Sequence, residues 1–160
     1  MPKFPLVLVG FLVLAAVAIA ATPVAPNPRA EVEAVVRAYV DAANRGDVYG
    51  MMALVSRQEG VISISDGQIQ RGWQTIRNSN DQIVGREGGN NLTVGSIDVL
   101  VMGPTAAVAV APFTFTVTST HGDVRVPGAS SFVFEKTSGR WLVVHEHTSI
   151  ATQEVARGID

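Results

Sequence analysis

Between Asn27 and Ala43 the apolar side chains fall at helical intervals. Val32, Val35, Val36, Tyr39, Val40 and Ala43 return every three or four positions, which predicts an amphipathic helix with one buried face. Asn27-Pro28 starts it, because the Asn side chain can accept from the first free amides and Pro fits the first helical position. Asn44-Arg45-Gly46 is a stop, and Asp47 can cap a second helix at once. That helix carries Val48, Met51, Met52, Leu54 and Val55 and ends near Ser56–Gly60. The period then changes to two. Val61–Ser65 alternates as a short strand, Asp66-Gly67 is a hairpin signal, and Ile69–Arg71 is the return strand. Gly72-Trp73 opens a third helical stretch to about Val84, and Gly85–Asn91 reads as a loop.

The remainder is strand-rich. Leu92–Met102, Thr105–Thr118, Val124–Lys136 and Arg140–Ser149 are separated by Gly103-Pro104, His121-Gly122-Asp123 and Ser138-Gly139. Long strands joined by tight turns predict an antiparallel meander. Pro112, inside the second of them, marks an edge or a bulge. Helices first and sheet afterwards is an α+β order. The expected solution is a cone: a curved antiparallel sheet with about three N-terminal helices on its concave face and an apolar pocket between the layers.

A chain of 160 residues is one domain in length. Its hydrophobic share of 47% includes a block from Leu6 to Ala21 that follows Lys3 and ends in Ala18-Ile19-Ala20, a small-x-small cleavage pattern. This is the layout of a signal peptide over residues 1–20, with a Pro-rich linker over 21–29, a domain over 30–152 and a tail over 153–160. The block is shorter than the roughly 17–25 residues of a spanning helix, so no stable membrane span is expected after cleavage; an uncleaved anchor is the alternative. The expected address is secreted or cell-envelope. The absence of Cys excludes disulfides, thiolate metal sites and lipid attachment through Cys. A net charge of −2 with no basic block argues against nucleic acid as a partner.

The candidate chemistry lies in GRWLVVHEHTS, Gly139 to Ser149. Strict alternation puts Trp141, Val143, His145, His147 and Ser149 on one face, with Leu142, Val144, Glu146 and Thr148 on the other. His145 and His147 form an H-x-H pair, but a metal site needs a third ligand, and His121 lies in a predicted turn with no visible tie to them. No metal or cofactor is implied. If Glu146 faces an apolar pocket, burial raises its pKa and suits it to general-base work. Tyr39, on the apolar helix face, is then its natural hydroxyl partner.

Three stretches resemble one superfamily. The closing strand is similar to that of the association domain of calcium/calmodulin-dependent kinases. VVRAYVDAANRGDVYGMMALVS resembles the start of ketosteroid isomerase and its relatives, and G-W-x-x-I at Gly72–Ile76 matches the start of their third helix. Together, over about Ala30 to Ser149, the chain resembles the SnoaL-like branch of the nuclear transport factor 2-like superfamily. The resemblance implies that Thr148 parity faces the pocket, so that Glu146 points in and His145 and His147 point out, at a possible homodimer interface. It also implies departures. The isomerase's two acids would fall near Ser63 and Ser130, while Tyr39 falls on its oxyanion-binding Tyr. The pocket arginines of the kinase domain would fall at Pro112, Phe132 and Thr148. Steroid isomerisation and carboxylate binding are therefore disfavoured.

The resulting expectation is an exported domain that binds a small, mostly apolar molecule, with Trp73, Ile76, Phe132, Val144 and Thr148 around Tyr39 and Glu146. One alternative is an enzyme of isomerase, cyclase, dehydratase or hydrolase type with Glu146 as base and Tyr39 as donor. Another is a non-catalytic dimerisation module using the outer sheet face.

Overall fold

The computed structural model describes residues 27–84, 91–119 and 122–151. The expected signal peptide, most of the linker, residues 85–90 of the loop, His121 and the tail lie outside them. Three helices, α1 (Pro28–Asn44), α2 (Val48–Met52) and α3 (Trp73–Ile83), accompany seven strands. These are β1 (Ile62–Ser65), β2 (Gln68–Arg71), β3 (Leu92–Val94), β4 (Asp98–Val101), β5 (Ala106–Ser119), β6 (Gly122–Thr137) and β7 (Arg140–Ile150). They form one curved, unclosed sheet in the order β2-β1-β7-β6-β5-β3, with β4 also paired to β5.

Local chemistry sets the element ends. The Asn27 side chain accepts from the Ala30 amide at 3.2 Å and Pro28 takes the first helical position, so α1 starts where the sequence placed it. Asp47 caps α2 by accepting from the Gly50 amide at 2.8 Å. Asp66 (φ 47°) and Gly67 (φ 83°) supply the two left-handed residues of the β1–β2 hairpin turn. The amide of Asn44 brackets Leu92, donating to its carbonyl and accepting from its N–H, both at 2.9 Å. It thereby ties the end of α1 to the first residue of β3.

Three details differ from the sequence expectation. The second helix stops at Met52; Leu54 and Val55 lie beyond it, because Leu54–Ser56 instead satisfies the free edge of β7. Leu54 O accepts from Val143 N at 2.9 Å and Ser56 N donates to Val143 O at 2.8 Å. The single strand expected over Leu92–Met102 is two strands, β3 and β4. Pro112 of β5 lacks an N–H, and its carbonyl accepts from Gly95 at 2.9 Å in the gap between them. Finally, β5, β6 and β7 form the expected antiparallel meander, but β1 runs parallel to β7. A parallel neighbour needs a long connection, which the intervening elements supply.

The core lies between α1 and the concave face. Val32, Val36, Tyr39, Ala42 and Ala43 make the buried stripe of α1. Opposite are Ala107 and Ala109 of β5, Phe132 and Phe134 of β6, and Trp141 and Val143 of β7. Small side chains on β5 let the helix sit close to the sheet. At the start of α1, Glu31 accepts from Lys136 Nζ at 2.6 Å and from the Trp141 indole N–H at 2.8 Å. These contacts hold the Glu31 carboxyl below its ordinary value. Trp141, assigned by strict alternation to the face of the histidines, is therefore corrected to the inner face.

The cause is a β-bulge. Val133 pairs with His145 but Phe134 pairs with Val143, which leaves Val144 as the extra residue. Side-chain parity flips there. Trp141 and Val143 point inward before it, and Glu146 and Thr148 point inward after it. Further along, Gly128 of β6 faces Phe113 of β5. A Cβ there would run into the Phe113 ring and lie 2.8 Å from the Ser149 carbonyl. Gly128→Ala is expected to lower stability by about 1–3 kcal/mol, the usual cost of forcing atoms into filled space. Thermal or urea unfolding of the variant measures it.

Candidate functional site

A cavity of about 250 Å³ opens between the helices and the curled half of the sheet. Its walls differ in character. Val40 and Ala43 of α1, Ile83 and Val84 at the end of α3, Leu92 and Val94 of β3, and Ala111, Phe113 and Phe115 of β5 form an apolar side. The opposite side is a band of uncharged polar groups around one acid. Ser63 and Ser65 come from β1, Gln70 from β2, Ser79 and Asn80 from α3, Ser130 from β6, and Glu146 and Thr148 from β7.

Register explains how these side chains meet. Glu146 lies beside Ser63 of β1 and Phe132 of β6; Thr148 lies beside Ser65 and Ser130. Cross-strand partners share a face, so one inward row carries Ser63, Glu146 and Phe132, and the next carries Ser65, Thr148 and Ser130. Tyr39 descends from α1 onto the first row, its ring edge-on to Phe132 at 5.6 Å. Its hydroxyl donates to Glu146 Oε2 at 2.8 Å. Ser63 Oγ stands 3.5 Å from the same oxygen, Thr148 Oγ1 donates to Oε1 at 3.3 Å, and Ser130 and Thr148 share a hydrogen bond of 2.7 Å.

Among the described residues no Lys, Arg or His lines the cavity. Arg77, a conceivable partner for Glu146, instead meets the Tyr49 hydroxyl at 3.1 Å and Asp81 at 3.4 Å. Burial accordingly pushes the Glu146 carboxyl above its ordinary value, opposed by the hydrogen bonds from Tyr39, Thr148 and Ser63. Tyr39 is driven well upward, first by its own burial and then by the charge and hydrogen bond of Glu146. The pair therefore keeps its phenolic proton, and Glu146 is the acceptor that titrates first.

Of the residues expected at the site, Tyr39, Phe132, Glu146 and Thr148 line this cavity. Trp73, Ile76 and Val144 do not. Only the second half of α3 reaches the hollow. Trp73 at its start donates its indole N–H to Met52 O at 3.2 Å and carries the Arg57 guanidinium 4.2 Å above its ring, while Ile76 is sealed in the core. Val144 is displaced by the bulge. His145 and His147 are also absent from the lining and pair in register with Val133 and Ser131 of β6. Among the described residues no three His, Asp or Glu side chains are grouped to hold a metal. The polar band was the missed component. Its signal was present in Val61–Ser65, where Ser63 and Ser65 alternate with Ile62 and Ile64.

The chain belongs to the SnoaL-like domain family, whose model matches residues 32–153. Solved structures place it in the nuclear transport factor 2-like fold. An NTF2-like protein of unknown function from Shewanella oneidensis superposes with a TM-score of 0.64 at 21% identity, over 77% of this chain and 99% of that one. A ketosteroid isomerase-like protein from Erwinia carotovora atroseptica gives 0.64 at 18%, covering 78% and 96%. The association domain of C. elegans CaMKII gives 0.64 at 19%, covering 76% and 95%. Among curated protein sequences none matches this chain. In the described residues no helix is long and apolar enough to cross a membrane.

Because the folded protein holds the Glu146 carboxyl above its unfolded value, Glu146 favours folding least once pH has risen through its folded-state titration. Below the ordinary glutamate range both states are protonated and this cost vanishes. Glu146→Gln should therefore be more stable than wild type at pH 7 and match it near pH 3, below the ordinary glutamate range. Urea unfolding at the two pH values tests the sign.

Proposed function

We propose that the domain binds one small, mostly apolar molecule in the cavity, with its polar end against Glu146, Tyr39 and the surrounding hydroxyls. The supporting observation is the two-sided hollow itself: about 250 Å³, hydrocarbon on one wall and a single acid on the other. An apolar cavity of about 150 Å³ admits benzene, so a one- or two-ring body fits the larger space. Few, well-placed polar groups in an apolar pocket are the usual pattern of a small-molecule site. The apolar run Leu6–Ala21 supports export of the domain.

Nile red, a neutral apolar dye, should fluoresce on binding wild type. Binding should be lost in Phe132→Arg, which carries charge into the hollow, and in Val40→Trp, which fills it from α1. Circular dichroism separates loss of binding from loss of fold. Unchanged dye binding in both folded variants would place the ligand elsewhere.

A second reading is favoured by the 2.8 Å contact between Tyr39 and Glu146. A carboxylate with a raised pKa can take a proton from a bound substrate, and a neighbouring phenol can stabilise the oxyanion that forms. Ser63 and Ser130 stand where the isomerase resemblance places acids, so the proton-accepting group of this chain would have moved to the neighbouring strand. The stability profile of Glu146→Gln bears on this reading as well, since an ordinary titration would leave no base near neutrality.

The outer sheet face supports self-association. Leu100, Val108, Val133, His145 and Ile62 form one continuous cross-strand row there, and Leu100 is 64% exposed. A homodimer pairing these faces predicts that Leu100→Lys with Val133→Lys yields monomer by light scattering while the wild type is a dimer.

A further inference from the structure

From the groups that face Glu146, we infer that the ligand is an amine: a small hydrocarbon body bearing a protonated primary or secondary nitrogen. This deepens the ligand-binding reading and rests on it. Glu146 is partly buried and accepts hydrogen bonds only from hydroxyls among the described residues, and two of these are long, at 3.3 and 3.5 Å. Its Oε1 holds just one of them, the 3.3 Å contact from Thr148, whose hydroxyl is also engaged at 2.7 Å with Ser130. Each carboxylate oxygen can accept twice, so acceptor capacity is left over on the side of the hollow. A carboxylate taken out of water without a cation is costly, and the described lining residues offer none.

An ammonium group answers each part of this arrangement. It supplies the missing charge. It also brings up to three donors, and Glu146, Ser63 and the Ser130–Thr148 pair present acceptors around one end of the cavity. Aromatic faces favour a cation further, and Tyr39, Phe113, Phe115 and Phe132 are all in the wall. An alcohol brings one donor and no charge. A carboxylate or phosphate would meet a like charge and, among the described residues, no basic side chain. A metal ion would need further acidic or imidazole ligands, which the described residues do not group here.

Three ligands with one body and different ends make the test: 3-phenylpropylamine, 3-phenylpropan-1-ol and 3-phenylpropanoate, titrated calorimetrically into the full-length chain at pH 7.5. The amine should bind about ten-fold or more tightly than the alcohol, since its charge adds an ion pair with the carboxylate to the hydrogen bond that either ligand can donate, and the carboxylate should not bind. Glu146→Gln should abolish the preference for the amine, bringing its affinity to within about two-fold of the alcohol's. Amine affinity for wild type should fall as pH drops and Glu146 takes up a proton. An alcohol that binds as tightly as the amine, or an amine preference that survives Glu146→Gln, overturns the inference and leaves the cavity a site for neutral molecules. If none of the three binds while Nile red does, the amine class is likewise rejected. If Nile red also fails, the ligand-binding reading falls first and this inference with it.

Discussion

One extra residue in β7 organises this protein. The outer half of the strand must cover the core under α1, and the inner half must face the hollow. A strand of unbroken alternation cannot present Trp141, Val143, Glu146 and Thr148 to the same side. The bulge at Val144 makes it possible. It lets one strand switch from sealing to lining in a single step, while β1 replaces Leu54–Ser56 as its edge partner. The register of Ser63, Glu146 and Phe132, and with it the meeting of Tyr39 and Glu146, follows from that step.

The two halves of the concave face then obey different rules. Under the start of α1 the acid is matched: Glu31 is held by a lysine and an indole N–H at once. In the hollow, hydroxyls stand against hydrocarbon, and among the described residues Glu146 has no counter-ion in the lining. Folding alone does not favour such a group, because desolvation raises its pKa and weakens the native state at neutral pH. Residues that cost stability in a hollow of this kind are the ones most readily assigned to ligand contact.

Much of the architecture could be read from spacing. Asn27-Pro28, Asp47 and Asp66-Gly67 carry their own boundary chemistry, and they begin α1, cap α2 and turn the hairpin as expected. What escaped depends on partners distant in the chain. The early end of α2 is decided by the edge of β7, and the split between β3 and β4 by the missing N–H of Pro112. The bulge has no local mark, since Val144 needs no left-handed backbone and no glycine stands there. Strict alternation therefore misplaced Trp141 and Val144. The inward direction of Glu146 came from the family resemblance, not from periodicity. Trp73 and Ile76 were expected at the pocket but lie in the first half of α3, which does not reach it, because an amphipathic pattern says which face is covered but not what lies beneath it.

The alanines of β5 have a consequence beyond close packing. Ala107 and Ala109 lie beneath the seated helix, and Ala111, next in the same inward column, borders the hollow. Methyl groups thus set both how deep the helix rests and how much room remains beside it. Exchanging Ala111 alone would resize the hollow, since that position lies past the residues on which the helix bears. The same exchange two positions earlier would lift the roof. Variation in the size of the hollow within such a scaffold should therefore concentrate at the open end of this column, while its closed end stays fixed by the demands of the roof.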